Sequence, residues 1–169
     1  MLQRFYPHQY YNSTYEIDFR RLYHQGYRGV IFDVDNTLVP HGAPADKRSI
    51  KLFIMLKELG FKVMLLSNNK EQRVKSFQEA VGYGSYIFKA HKPSTKNYVK
   101  AMEELGTDCS NTLFIGDQLF TDVWGAKKAG ITTYLVKPID KKEEIQIVIK
   151  RFFEKIVLYF YMRKGSKGE

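Results

Sequence analysis

Beyond residue 28 the chain switches repeatedly between two hydrophobic rhythms. Gly29-Val30-Ile31-Phe32-Asp33 is a nearly unbroken apolar run, the pattern of a strand buried on both faces. Ile50 to Leu59 instead places apolar residues at 50, 53, 54, 56 and 59, which predicts an amphipathic helix stopped by Gly60. The same reading predicts strands at 62–67, 86–88, 112–117 and 132–136. It predicts helices at 70–81, 94–105 and 121–129, each followed by a glycine: Gly82, Gly106 and Gly130. Strand–helix alternation at this spacing implies an α/β fold, a central, mostly parallel sheet with helices on both faces.

Two segments flank this body of residues 29–140. Residues 1–28 form an aromatic leader with eight Phe or Tyr side chains, too sticky to trail in solvent and expected to pack on the body. Residues 141–169 predict a basic amphipathic helix and a short tail. There Ile145, Val148, Ile149, Phe152, Ile156, Tyr159 and Phe160 recur at helical spacing, among Lys150, Arg151, Lys155, Arg163, Lys164 and Lys167. Such a stripe either docks on the sheet or on a second copy of the chain, or it lies in a membrane interface.

Composition narrows the classes. With 44% hydrophobic residues the chain can bury a core, which excludes global disorder. The single cysteine, Cys109, excludes an internal disulfide scaffold and favours a reducing compartment. No stretch resembles a signal-peptide core or approaches the roughly 18 apolar residues of a membrane span. The expectation is a soluble, cytoplasmic protein. Its net charge of +9 is densest in residues 141–169, which alone carry +4. That surplus favours anionic partners: phosphorylated substrates, acidic lipid headgroups, or nucleic acid as the less favoured choice. A solvated basic surface accounts for charge alone equally well.

In open parallel sheets ligands bind beyond the carboxyl ends of the strands. Those ends here read Asp33 to Thr37, Ser67 to Asn69, Lys89 to Lys92 and Asp117 to Asp122. Asp33 and Asp35, alternating around Val34, repel unless a cation or a shared proton relieves them. Asp117 and Asp122 add oxygens, and hard oxygen donors without His or Cys suit Mg²⁺ rather than zinc. Thr37 and Ser67 offer hydroxyl donors and Lys92 a point charge suited to phosphate. A cation site, a nucleophilic carboxylate, hydroxyls and a lysine are what phosphoryl transfer requires. The four histidines are scattered, Trp124 reads as packing, and Lys127 and Lys128 read as a solvated helix face.

These residues resemble a known family. Asp33-Val34-Asp35-Asn36-Thr37-Leu38 resembles the first motif of the haloacid dehalogenase (HAD) superfamily, Ser67 its second and Lys92-Pro93 its third. Gly116-Asp117-Gln118-Leu119-Phe120-Thr121-Asp122 resembles its fourth. The resemblance implies a HAD-like Rossmannoid fold and a Mg²⁺-dependent phosphatase. Asp33 would be the nucleophile and Asp35 the general acid and base. Asp33, the backbone carbonyl of Asp35, and Asp117 would ligate Mg²⁺. Thr37, Ser67, Asn68 and Lys92 would hold the phosphoryl group, with Asp122 in support.

Cap insertions fall after the first motif or between the second and third, and neither gap here has room for one. An uncapped site suits a bulky substrate or one closed off by a second subunit of a homo-oligomer. The aromatic leader, missing cap and basic tail make the chain similar to the YqeG-type branch of capless, subfamily IIIA HAD phosphatases, related to phosphatidylglycerophosphate phosphatases. That resemblance implies a lipid phosphomonoester as substrate, reached by a protein peripheral to the inner face of a membrane. Two other readings stay open: a capless phosphatase for a soluble phosphomonoester, nucleic-acid end or phosphoprotein, and a non-enzymatic binding module.

Overall fold

The computed structural model describes residues 2–140 and 145–165. Its strands are β1 (Gln9–Tyr11), β2 (Gly29–Phe32), β3 (Lys62–Leu66), β4 (Ser85–Ile87), β5 (Thr112–Gly116) and β6 (Thr132–Val136). Its helices are α1 (Phe19–His24), α2 (Lys47–Leu59), α3 (Glu71–Val81), α4 (Lys96–Leu105), α5 (Trp124–Lys128) and α6 (Ile145–Gly165). The strands form one sheet in the order β1-β6-β5-β2-β3-β4, with every pairing parallel. The expected α/β Rossmannoid architecture is what the chain adopts, and the sheet is wholly rather than mostly parallel.

The apolar runs follow from burial on both faces. Along β2, Val30 and Phe32 enter one core with Phe19, Phe53, Phe61 and Phe77. Ile31, pointing the other way, joins Met64, Tyr98 and Phe114 beneath α4 and α5. Between β2 and β5 the chain order reverses: β3 and β4 follow on one side, β6 and β1 on the other. This switch point opens a crevice at the strands' carboxyl ends.

The leader is built into the body. Gln9–Tyr11 pairs with Tyr134–Val136 as an edge strand, and Ile17, Phe19 and Leu22 are buried in the main core. Thr14 Oγ1 donates to the Thr37 carbonyl at 2.7 Å, and Tyr15 Oη donates to that of Leu38 at 2.5 Å. Lys127 is not a solvated helix residue as expected. Its ammonium donates to the carbonyls of Gln3 and Tyr6 at 3.0 and 2.8 Å, tying the N-terminus to α5. Trp124 packs edge-on against Phe5 at 5.5 Å.

Of the placements open to the apolar stripe of α6, docking on the sheet is not the one adopted. Val148, Ile149, Phe152, Ile156, Tyr159 and Phe160 are exposed, and so are Phe153 and Met162. The inward face is Arg151, Glu154, Val157 and Leu158, spaced at helical intervals, and Val157 and Leu158 join a small cluster with Leu119, Val123 and Leu135. Lys141 and Lys167, and the side chain of Ile145, lie outside the described residues. Among the described residues no helix is long and apolar enough to cross a membrane.

Candidate active site

The site is assembled by three central strands. Asp33 follows β2, and its N–H donates to the Ile115 carbonyl of β5 at 2.9 Å, continuing the ladder one residue into the site. Ser67 follows β3 and Asp117 follows β5. The chain turns sharply after Asp33 because Asn36 adopts a left-handed φ of +63° that asparagine tolerates. The Asn36 Oδ1 accepts the Asp140 N–H at 3.0 Å, closing that turn.

Lys92 is the hub. Its ammonium donates to Asp33 Oδ1 and to Asp122 Oδ1, both at 2.7 Å, and all three residues are buried. Its backbone is bracketed by one side chain: Lys92 N–H donates to Asn68 Oδ1 at 2.7 Å and Asn68 Nδ2 donates to the Lys92 carbonyl at 3.2 Å. Burial alone would lower the ammonium's pKa, but Asp122 and Asp33 outweigh it and raise it, so the lysine stays charged.

Asp122 is fully committed. Beyond Lys92, its Oδ2 accepts the N–H groups of Asp117 and Gln118 at 3.2 and 3.0 Å. To reach them the chain opens into a π-helical turn at Leu119–Val123 where a regular helix was expected from Thr121. Gly116 makes the approach feasible, because a Cβ there would lie 2.5 Å from Asp122 Oδ2.

Thr37 Oγ1 sits between two carboxylates, 3.3 Å from Asp33 Oδ2 and 3.2 Å from Asp117 Oδ1, so those two oxygens face each other across the hydroxyl. Among the described residues, Asp33, Asp117 and Asp122 present oxygens within 4.8 Å of one another. Burial pushes Asp33's carboxyl up to about 6 against the pull of Lys92. Burial and the nearby Asp33 raise Asp117 as well, against Arg151. A dry cluster of carboxylates held off their ordinary ionisation fits a hard divalent cation. These three carboxylates are the group that could hold one, with Asp122 already bonded to Lys92 and to two amides.

Asp35 faces elsewhere. Its carboxylate accepts from Gly42 N–H at 2.8 Å and Asn69 Nδ2 at 3.2 Å, and pairs with Arg73 at 2.9 Å. Burial would raise its pKa, but the Gly42 amide and Arg73 outweigh this and lower it. Above the cluster opens a cavity of about 320 Å³. Asp33, Asp35, Ser67, Asn68 and Lys92 line it, joined by His41, Asn69, Gln118, Thr121 and Lys150. Thr37, Asp117 and Asp122 are buried and do not line it. Three site residues escaped the sequence reading: Arg73, Arg151 and Glu154. Arg151 donates to the Asp117 carbonyl at 2.6 Å and to its Oδ2.

The haloacid dehalogenase-like hydrolase family matches residues 41–130. Over 167 residues the chain is 36% identical to the probable phosphatase YqeG of Bacillus subtilis, spanning 98% of this chain and 96% of that protein. The chain belongs to the haloacid dehalogenase-like hydrolase family. This HAD-like hydrolase is also 27% identical, over 95% of its length, to phosphatidylglycerophosphate phosphatase 1 (chloroplastic/mitochondrial) of Arabidopsis thaliana, of which it spans 49%. The crystal structure of a HAD phosphatase from Thermococcus onnurineus superposes with a TM-score of 0.51 at 20% identity, over 60% of this chain and 50% of that one. The cobalt-bound deoxy-D-mannose-octulosonate 8-phosphate phosphatase of Haemophilus influenzae gives 0.50 at 16% identity, over 68% and 80%. At these identities both speak for the fold. The family match starts after Asp33, Asp35 and Thr37 and stops before α6, so the geometry above is what joins those segments to the rest of the hydrolase.

Proposed function

We propose that this HAD-like hydrolase is a Mg²⁺-dependent phosphatase that works through a phospho-Asp33 intermediate and acts on a lipid phosphomonoester at an anionic membrane surface. The observation that carries the phosphatase reading is the Asp33–Lys92–Asp122 array at the floor of an open cavity, at the sheet's switch point. Lys92 holds one Asp33 oxygen while Thr37 contacts the other, so the carboxylate is fixed in one orientation toward the cavity. Asp33 attacks phosphorus, the P–O bond to the leaving group breaks, and Asp35 gives that oxygen its proton. Water then attacks the aspartyl-phosphate, Asp35 takes the water's proton, and inorganic phosphate leaves with Asp33 restored. Ser67, Asn68 and Lys92 at the cavity wall receive the phosphoryl oxygens. Asp33 and Asp117, with the Asp35 backbone carbonyl, would hold Mg²⁺, which when bound neutralises charge on the phosphoryl oxygens. Asp35 is held ionised by Gly42 and Arg73, so its proton-donating step requires substrate to loosen those contacts.

Support for the lipid comes from three sides. Among the described residues no cap covers the cavity, and one matched relative is named a phosphatidylglycerophosphate phosphatase. Helix α6, whose Lys150 reaches the cavity, exposes Phe152 by 63% and Ile149 by 57% beside basic side chains. Apolar area with a basic rim is what an anionic interface binds. A soluble phosphomonoester is the second reading, favoured by the polar cavity wall of His41, Asn69, Gln118 and Thr121. The test is phosphate release from an aryl phosphate, soluble sugar phosphates and phosphatidylglycerophosphate in anionic vesicles, with and without Mg²⁺. The expected result is Mg²⁺-dependent release with the highest kcat/KM on the vesicles. A soluble ester preferred over vesicles supports the second reading, and no release from any ester overturns both.

A further inference from the structure

The inward face of α6 poses a question that neither docking nor membrane binding answers. Glu154 is only 4% exposed on a helix most of whose large apolar residues, Val157 and Leu158 apart, face out. Buried carboxylates are rare unless they are paired. Glu154 Oε1 accepts the Leu119 N–H at 2.8 Å, satisfying a buried amide at the start of the π-helical turn, and Oε2 pairs with Arg151 at 2.9 Å. Arg151, so oriented, reaches Asp117 with two nitrogens. Nη1 donates to its carbonyl at 2.6 Å and Nη2 to its carboxylate Oδ2. Asp117 Oδ1, on the other side, faces Asp33 across Thr37.

We infer that Arg151 is a positioning residue for the metal site, supplied by a helix outside all four motifs. It locks the Asp117 side chain with Oδ2 engaged, so that Oδ1 points at Asp33. A planar guanidinium can bridge carbonyl and carboxylate of one residue, which a lysine's point charge cannot do. Glu154 neutralises the guanidinium, so the pair brings orientation without added positive charge. It therefore does not act as a rival cation. Burying two charges for this is costly unless every polar atom is matched, and the Glu154–Leu119 bond completes the matching. The inference rests on the proposed metal role of Asp33 and Asp117.

The test titrates MgCl₂ into the full-length chain by calorimetry, below the melting temperature, with helix content followed by circular dichroism. Loss of an outer group that orients a ligand costs about 10–100-fold in metal affinity. Arg151→Ala is expected to weaken Mg²⁺ binding by that factor with helix content retained, Arg151→Lys to recover part of it, and Asp117→Ala to abolish binding. Hydrolysis by Arg151→Ala should need proportionally more Mg²⁺ while the KM for an aryl phosphate stays put. Unchanged or tighter Mg²⁺ binding by Arg151→Ala, with Asp117→Ala still defective, overturns the positioning role and leaves the metal site standing. Full binding by Asp117→Ala overturns the metal site itself and the inference with it.

Discussion

From residue 29 to 136 most large apolar side chains are buried, Ile54 and Val99 being exposed, and the charges buried among them, Asp33, Lys92, Asp117 and Asp122, lie at one end of the sheet in contact with partners. In α6 the arrangement is inverted: eight large apolar residues from Val148 to Met162 are exposed, and the charged pair Arg151 and Glu154 is turned inward. The body is held by burial, each fully buried Leu, Ile or Phe contributing about 1.5–3 kcal/mol. Helix α6 is held by a few polar bonds, by Val157 and Leu158, and by Tyr161 edge-on against Tyr6. One region therefore owes its position to hydrophobic packing, and the other leaves its apolar surface exposed while reaching the site through charge. Substitutions should separate these regions by kind and size of effect.

The largest effect is expected at Asp33. Asp33→Asn keeps the shape and removes the nucleophile, so hydrolysis of an aryl phosphate should fall by several orders of magnitude. The melting temperature should fall less than in Asp122→Ala, because the amide oxygen can still accept from Lys92 and the charge removed is one that burial opposes. Asp122→Ala should act chiefly on stability. It leaves Lys92 with one carboxylate partner and strips the Asp117 and Gln118 amides, the first buried and the second half-buried, of their acceptor, a loss of about 3–5 kcal/mol in urea unfolding. Phe152→Ser by comparison should shift stability by less than about 0.5 kcal/mol. Equal costs at the two positions would break the contrast between body and helix.

That contrast explains what the sequence revealed. Strands β2, β3, β5 and β6 were legible because burial on both faces writes a continuous apolar run, and the site residues because polar types cluster where those runs stop. Strand β1 escaped: three residues are too few to show a period, and the surrounding aromatics blur any alternation. The stripe on α6 was legible as a helix, but periodicity does not say which face turns inward. Arg73, Arg151 and Glu154 were invisible for a related reason. Their partners lie 38, 34 and 35 residues away in the chain, and only the folded sheet brings them together.

A smaller effect sharpens the account of α6. Phe152→Ser combined with Phe153→Ser should weaken co-sedimentation with anionic vesicles at least about tenfold, given the apolar area each ring buries. It should leave hydrolysis of a soluble aryl phosphate intact. Unchanged vesicle binding would remove the membrane from the reading of this face.

The smallest effect is expected at the β1 edge. Thr133 N–H donates to His8 Nδ1 at 3.0 Å, which requires a neutral imidazole. Partial burial and Lys127 lower the His8 pKa below 6.5. A histidine with a depressed folded pKa gives stability that is present above pH 6.5 and lost as pH falls through the folded pKa. Unfolding free energy should therefore decline on acidification below pH 6.5, by no more than about 1 kcal/mol from this bond. Part of that decline should be missing in His8→Asn.

The most direct measurement of the central claim is chemical trapping at residue 33. The full-length protein is mixed with Mg²⁺ and aryl phosphate, quenched in acid during turnover, reduced with borohydride and mapped by peptide mass spectrometry. An acyl phosphate is reduced where a free carboxylate is not, so the account predicts conversion of Asp33 to homoserine, dependent on Mg²⁺ and substrate. Reduction at another carboxylate, or active turnover with Asp33 unmodified throughout, would contradict it.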